Sequence, residues 1–183
     1  MTLLDGLILA TPSSVSYTGT SATINANGAV DFSGITGLTL NGVFTSTYDN
    51  YRIVMSSKAS SGNNIAVWAR VASGGTTDGS NNYYTEVIDI GGTTLGSRKD
   101  TSTVWTLFGA SHTELNGITA HMYKPAIAAP TSFRLVHTSS YLGATINESA
   151  GVHNVSTSYD GFAIYPAGGP TLSGTIAIYG YNQ

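Results

Sequence analysis

The sequence contains no cysteine and few charged residues. Without cysteine it can form neither a disulfide framework nor a thiolate metal cluster. Charged residues make up 9% of the 183 residues, well below the roughly 25% that is usual for soluble domains. The net charge is −3 and the only adjacent basic pair is Arg98-Lys99, so the basic patch typical of nucleic-acid binding is missing. Weakly charged surfaces repel one another little, which favours self-assembly.

Helical periodicity is also missing from the sequence. No window of helical length has apolar residues at i, i+3, i+4 and i+7. Instead, short segments such as YRIVM at 51–55 and IAVWARVA at 65–72 alternate apolar with other residues, and glycine- or proline-rich turns separate them. We therefore expect one all-β domain, a single antiparallel β-sandwich of jelly-roll or Greek-key type.

The first residues, MTLLDGLILATPSS, form an apolar stretch interrupted by Asp5. The stretch lacks the basic start of a signal peptide and is much shorter than the about 20 residues that span a membrane as a helix, so we expect neither secretion nor a membrane anchor. An exposed apolar cluster needs something to cover it. We predict an extended N-terminal attachment arm over residues 1–22, followed by the sandwich over residues 23–183. The apolar residues of the arm are Leu3, Leu4, Leu7, Ile8 and Leu9.

Two segments repeat one pattern: FTSTYDNYRIVM at 44–55 and STSYDGFAIYP at 156–166. In each, a Tyr-Asp dipeptide precedes an aromatic residue and an apolar alternation. The dipeptides are Tyr48-Asp49 and Tyr159-Asp160. An Asp before a strand folds its side chain onto the backbone and sets the turn, so we predict two structural strand entries, in neighbouring strands of one sheet. The alternative is a glycosidase-like pair formed by the two carboxylates.

Other residues that carry chemistry form no strong motif. His112 and Glu114 lie two apart, and His121 and His153 follow, but Glu114 stands where the cupin metal motif has a second histidine. We expect ordinary surface or core histidines and no cofactor. The loop GGTTDGSNN around Asp78 has oxygen ligands without EF-hand spacing, which leaves calcium binding open. G-x-S-x-G and Walker-type motifs are absent from the sequence.

Three arginines lie inside predicted strands next to apolar or aromatic residues, and two interpretations of them stay open. They could belong to a solvated sheet face whose long side chains lie over aromatic rings. They could also form subunit or partner contacts, where arginine and aromatic residues are enriched. The candidate contact residues are Arg52, Trp68, Arg70 and Arg134.

Three stretches carry a family resemblance: NGVFTSTYDNYRIVM, IAVWARVASGG and the C-terminal SYDGFAIYPAGGPTLSGTIAIYGYNQ. Together they resemble a recurring β-domain of tailed-bacteriophage virion proteins of the head-decoration, head-fibre and tail-fibre types. The resemblance covers residues 38–183. It implies a non-enzymatic, trimeric virion protein, and it brings no catalytic residues with it.

Three functions remain after these observations. We expect a capsid decoration or cement protein on the outer surface of the virion, bound to the major capsid protein or another virion protein. The alternative is a tail- or head-fibre adhesin that binds a host glycan. The third is an enzyme, either a glycan depolymerase or a cupin-like metal enzyme. We expect no nucleic-acid or membrane partner, and a homo-oligomer with a trimer favoured.

Overall fold

The chain folds into β-strands joined by turns. The computed structural model describes residues 6–62, 65–91, 94–106, 110–139 and 145–182. These ranges contain fourteen strands and no helix, so none of them offers a helix that could cross a membrane. Every strand pairing in them is antiparallel, which confirms the all-β prediction. The strands are β1 (Ile8–Leu9), β2 (Ser14–Ile24), β3 (Val30–Asn41), β4 (Asn50–Ala59), β5 (Ile65–Ser73), β6 (Thr76–Thr77), β7 (Tyr83–Gly91), β8 (Thr94–Ser102), β9 (Ala110–Ser111), β10 (Asn116–Tyr123), β11 (Ala129–Ser139), β12 (Thr145–Thr157), β13 (Gly161–Pro166) and β14 (Leu172–Tyr181).

The strands follow one hydrogen-bonded path, in the order β6-β5-β13-β3-β14-β4-β10-β11-β12-β7-β8. Off this path, β1 pairs with β14, β2 with β3 and β9 with β5. The two ends of the path come together. Trp105, in the connection that follows β8, exchanges backbone hydrogen bonds of 2.9 and 3.1 Å with Ala69 of β5. The Tyr83 hydroxyl of β7 accepts the amide hydrogen of Val71, also in β5, at 3.2 Å. The sheet therefore curls on itself around a core.

The curl depends on β3, which changes partner along its length. Residues 30–35 of β3 pair with β14, whereas residues 38–40 pair with β13. Near the end of the first segment, Gly34 has φ +57°, and Gly19 of β2, which pairs with Ile35 at a shift of register, has φ +128°. A Cβ atom on Gly19 would lie 2.2 Å from the Gly34 carbonyl oxygen and 2.6 Å from Ile35 Cα. Glycine is therefore required at position 19, by conformation and by space.

The side chains that point inward form the core. Successive side chains of a strand point to opposite faces of the sheet, so every second residue is buried. In β4, Tyr51, Ile53 and Met55 are buried whereas Val54 is 38% exposed. Burying a side chain of this size contributes about 1.5–3 kcal/mol. The largest fully buried side chains are Trp105, Tyr51, Tyr83, Phe133, Phe162, Ile35, Leu38, Leu40, Ile53, Met55 and Ile118.

The beginning of the chain joins the sheet over part of the predicted arm. Ile8 and Leu9 pair with the end of β14, and both are half-buried. Leu7 is 46% exposed. Leu3 and Leu4 lie outside the described residues. The strand β2 pairs with β3 over most of its length. The division into an arm of residues 1–22 and a body of residues 23–183 stays a prediction.

Replacing Gly19 by alanine tests whether the bulge controls the fold. We expect Gly19→Ala to lower the free energy of unfolding by about 1–3 kcal/mol or more, because the new Cβ meets backbone atoms and the φ angle disfavours L-residues. Urea unfolding followed by circular dichroism measures the change. Gly169→Ala is the matched control, since nothing lies within 4 Å of a Cβ there. Equal stability of the two variants would contradict the role given to the bulge.

Candidate functional site

The second Tyr-Asp dipeptide holds the entry to β13. The Asp160 carboxylate accepts the amide hydrogen of Gly74 at 3.1 and 3.3 Å, and its carbonyl oxygen accepts that of Phe44 at 2.9 Å. The Tyr159 amide donates to the carbonyl oxygen of Pro125 at 2.8 Å. These are contacts of a strand-entry turn with the connections around it.

The first dipeptide holds the entry to β4. The Asp49 amide donates to Asn182 Oδ1 at 2.9 Å, and the Asp49 carbonyl accepts the Lys124 amide hydrogen at 2.9 Å. The Tyr48 ring lies on Gly180, where an added Cβ would be 2.1 Å from the ring carbon Cδ2. Lys124 and Pro125 belong to one connection, between β10 and β11. Both dipeptides therefore anchor to the same turn.

The aromatic residues that follow the dipeptides also meet. Tyr51 and Phe162 hold equivalent places in the repeated pattern, and both pack on Phe44, with ring centres 4.7 and 5.8 Å away. The two strands, however, are not neighbours, because β3 and β14 lie between β4 and β13. The expectation of adjacent strands was wrong, since similar strand entries do not determine strand order.

A polar cluster lies between the curled ends of the sheet, and we call it the Asp78 cluster: Asp78, Ser80, Tyr83, His153 and Tyr159. The Tyr159 hydroxyl donates to Asp78 Oδ2 at 2.9 Å and lies 3.2 Å from His153 Nδ1. His153 Nε2 lies 3.3 Å from Ser80 Oγ and 3.4 Å from Asp78 Oδ2. The Tyr83 hydroxyl donates to the Asp78 carbonyl at 2.8 Å. The cluster joins the β6–β7 connection to β12 and to the entry of β13.

One protonation pattern gives the neutral His153 ring a hydrogen bond at each nitrogen. Because the Tyr159 hydroxyl donates to Asp78, His153 Nδ1–H donates to the Tyr159 oxygen and Nε2 accepts from Ser80, which leaves the approach of Nε2 to Asp78 Oδ2 without a hydrogen bond. Burial lowers the pKa of His153, and the nearby Asp78 charge opposes this only in part. Burial alone would raise the pKa of Asp78, but hydrogen bonds from Ser80 and Tyr159 keep it below its ordinary value. Burial also raises the pKa of both Tyr83 and Tyr159. The cluster is thus held with a neutral imidazole and an ionised carboxylate at neutral pH.

The sequence indicated only part of this cluster. Asp78 lies in an Asp-Gly-Ser turn, and its Oδ1 accepts the Ser80 amide hydrogen at 2.8 Å, as turn chemistry predicts. Nothing local connects position 78 with positions 153 and 159. His153 is fully buried here, His121 lies on the outer surface, and His112 contacts Thr113 and Glu114 in a turn. Within the described ranges, no three or more His, Asp or Glu residues form a group that could hold a metal ion.

A second site lies on the outer face of the sheet. We call it the cationic groove, and it comprises Arg52, His121, Tyr123, Arg134 and Tyr181. His121 of β10 is the direct cross-strand partner of Arg52 on β4 and of Arg134 on β11. His121 Nδ1 lies 3.1 Å from the Tyr181 hydroxyl, and the His121 and Tyr123 rings stack with centres 6.4 Å apart. Except for Arg52, these residues line a cavity of about 480 Å³.

Electrostatics distinguishes this groove from the rest of the outer face. Burial lowers the pKa of His121, and the charges of Arg52 and Arg134 lower it further. The Arg134 side chain is 65% exposed and forms an ion pair with Glu148. Two of the predicted contact residues, Arg52 and Arg134, are therefore brought together around a histidine that the sequence did not single out for this place. The alternation of β10 puts His121 and Tyr123 on one face, but the sequence does not specify their partners.

The other two predicted contact residues, Trp68 and Arg70, lie elsewhere, in what we call the tryptophan groove. Trp68 of β5 pairs across the sheet with Tyr165 of β13. The Arg70 guanidinium carbon lies 5.7 Å from the centre of the Tyr165 ring, and Arg70 Nε donates to the Thr103 carbonyl at 2.8 Å. These residues line a cavity of about 390 Å³. The four predicted contact residues thus fall into two grooves.

Comparisons with known proteins give no independent assignment. A scan against protein-family models, a search of curated proteins and a search of solved structures returned no match to this chain. The resemblance to virion β-domains therefore stays a prediction. The structure itself offers the two grooves, the Asp78 cluster and a further cavity of about 590 Å³ lined in part by Tyr84, Glu86 and Phe133.

The histidines predict how stability depends on pH. Because the folded-state pKa of His153 and of His121 lies below the ordinary value of 6.5, the unfolded chain takes up protons first as pH falls. Their contribution to stability is present above about pH 6.5 and is lost below it, with a slope of at most about 1.4 kcal/mol per pH unit for each proton. Asp78 stays ionised in this range. We expect the urea concentration at the unfolding midpoint to decrease as the pH is lowered from 7.5 to 5.5.

His153→Gln should reduce that pH dependence, because glutamine does not titrate. Urea unfolding of the variant and of the native chain at matched pH values measures the difference. His112→Gln is the control, since His112 lies in a turn outside the Asp78 cluster. An unchanged slope in His153→Gln would show that this imidazole takes up no proton on unfolding.

Proposed function

We propose that this chain is a non-enzymatic structural protein of a tailed-bacteriophage virion, and specifically a capsid decoration or cement protein. It sits on the outer surface of the particle and binds the major capsid protein or another virion protein. The resemblance of residues 38–183 to virion β-domains supports the assignment to a virion. The outer face of the sheet supports the proposal that the chain self-associates.

The observation that carries the assembly is a patch of exposed apolar side chains on that face. Val54, Ile88, Val136 and Ile146 are 38%, 46%, 41% and 51% exposed. The first three lie in one cross-strand row that runs from β4 through β10, β11 and β12 to β7. Thr119 and Glu148 lie between these side chains in the row, so the face mixes apolar and polar residues, as surfaces of protein–protein contacts do. In our proposal a second copy of the chain covers the patch. In a closed trimer the patch of every copy is covered by a neighbouring copy.

The finer architecture belongs to the same proposal. The curled sheet forms a jelly-roll or Greek-key sandwich body, and residues 1–22 supply the attachment. Leu7 already projects into solvent, next to a β1 strand that is paired with β14. Each leucine buried against a capsid surface contributes about 1.5–3 kcal/mol. Association of three copies multiplies that contribution through effective concentration.

The copy number of the chain in the particle tests the location. We expect hundreds of copies per particle, because a decoration protein covers the repeating subunits of the shell. Quantitative mass spectrometry of purified particles, calibrated on the major capsid protein, gives the number. A handful of copies would move the chain to the tail or a unique vertex, and its absence from the particle would overturn the proposal.

Replacing Ile88 by lysine tests the patch. We expect the native chain to run as a trimer of 18.9 kDa subunits in light scattering, and Ile88→Lys to run as a monomer, because a buried unpaired charge opposes association. Leu115→Lys is the matched control, since Leu115 is 65% exposed and lies outside the patch. A native monomer, or a variant that keeps the native mass, would contradict self-association through this face.

A second candidate function has an observation of its own. The tryptophan groove presents Trp68 and Tyr165 side by side on the surface, with Arg70 held between Tyr165 and Thr103. Paired aromatic rings with a polar rim form a surface on which a sugar ring packs. This favours a tail- or head-fibre adhesin that binds host glycan. Glycan-array binding that is lost in Trp68→Ala would support it.

A further inference from the structure

Two guanidinium groups flank one imidazole in the cationic groove. Arg52, His121 and Arg134 occupy one cross-strand row on three adjacent strands. The pKa of His121 is lowered, so at neutral pH the two arginines on either side of the ring carry the positive charge of the row. The whole chain has seven Lys and Arg residues and a net charge of −3, so the row does not reflect a generally basic surface.

The Arg52 guanidinium is incompletely satisfied within the described part of the chain. Its Nε atom is buried and has no hydrogen-bond partner there. Arg52 lies next to His121 without lining the cavity itself, so its charge, and not this atom, acts on the groove. On the other side of His121, Arg134 pairs with Glu148, which offsets only one of the two guanidinium charges. Among the described residues, no carboxylate forms an ion pair with Arg52.

The remaining walls of the groove are aromatic, hydroxylic and aliphatic, the last from Leu135 and Val136. Tyr123 and Tyr181 flank His121, with ring centres 6.4 and 5.9 Å from the imidazole, and Thr119 lies in the same cavity. A cavity of about 480 Å³ has the size of small-ligand sites. Ring faces accommodate the apolar face of a sugar, and hydroxyl groups hydrogen-bond to its hydroxyls. A simple inorganic anion uses neither of these features.

We propose that the cationic groove binds an acidic saccharide, a sugar chain that bears carboxylate groups. The carboxylate supplies the negative charge that the row lacks, since guanidinium and carboxylate groups form charge-assisted hydrogen bonds. Tyr123 and Tyr181 contact the sugar ring. Val136 of the apolar patch also lines this cavity, so the groove borders the proposed subunit contact and shares this residue with it.

This inference deepens the second candidate function, because it names the ligand class, and it does not depend on the first. The tryptophan groove, on β5 and β13, is a separate surface. Failure to bind an acidic saccharide would leave the copy number in the particle unchanged. The two proposals can therefore fail independently.

Titration calorimetry on the full chain tests the inference. The probes are short oligosaccharides of galacturonate, glucuronate and sialate, a neutral galactose oligosaccharide, and inorganic phosphate. We expect binding of at least one acidic probe and none of the neutral one. Arg52→Gln should weaken binding about tenfold or more, because a positive charge next to the groove is lost. Lys58→Gln, at an exposed position of β4 outside the groove, is the matched control and should bind as the native chain does. Arg70→Gln examines the tryptophan groove in the same assay.

A second readout separates direct contact from a merely structural effect. The imidazole signals of His121 in NMR titrations should shift to a higher pKa when the acidic probe binds, because a carboxylate next to the ring stabilises the imidazolium. The other charged groups that face this ring are Arg52 and Arg134, with Tyr123 and Tyr181 on the aromatic sides. His153, inside the fold, should not respond.

Each other outcome overturns a defined part of the proposal. Equal binding of neutral and acidic probes would refute the charge requirement, and phosphate binding as tight as that of the saccharides would reduce the site to a simple anion site. Loss of binding in Arg70→Gln but not in Arg52→Gln would place the ligand in the other groove. If no acidic probe binds, the groove is not a saccharide site.

Discussion

The bulge formed by Gly19 and Gly34 is the constraint on which the other features depend. It lets β3 pair first with β14 and then with β13, so one strand belongs to both parts of the curled sheet. A bulge adds to the twist that every sheet has, which favours the return of β5 to the connection after β8. Once it is curled, the sheet encloses Trp105 and Tyr83, whose rings meet edge to face at 5.2 Å.

The Asp78 cluster closes the curled sheet where backbone pairing ends. Its side chains come from connections and strands far apart in the chain, and they satisfy one another away from water. A buried polar network of this kind is favourable only when each member has a partner. His153 meets that condition as a neutral imidazole. The polar groups in the interior therefore hold the curled sheet closed. The residues that can contact a ligand lie on the outer face.

Much of the local structure could be predicted from the sequence. The alternation in YRIVM correctly placed Tyr51, Ile53 and Met55 in the core, and the lack of helical periodicity correctly indicated an all-β chain. The sequence did not predict which strands pair with one another. The repeated Tyr-Asp pattern indicated two similar strand entries, yet the strands are separated by β3 and β14, and their shared contact is a turn and the Phe44 ring.

The sequence by itself determined which residues form strands and which side of each strand faces the core, because the period of two is a property of the local backbone. Tertiary structure alone decided which outward residues became neighbours. Arg52, His121 and Arg134 are far apart in the chain, and they share a row because the registers of β4, β10 and β11 align them. Register is set by which side chains the core buries, so no local signal marks the cationic groove.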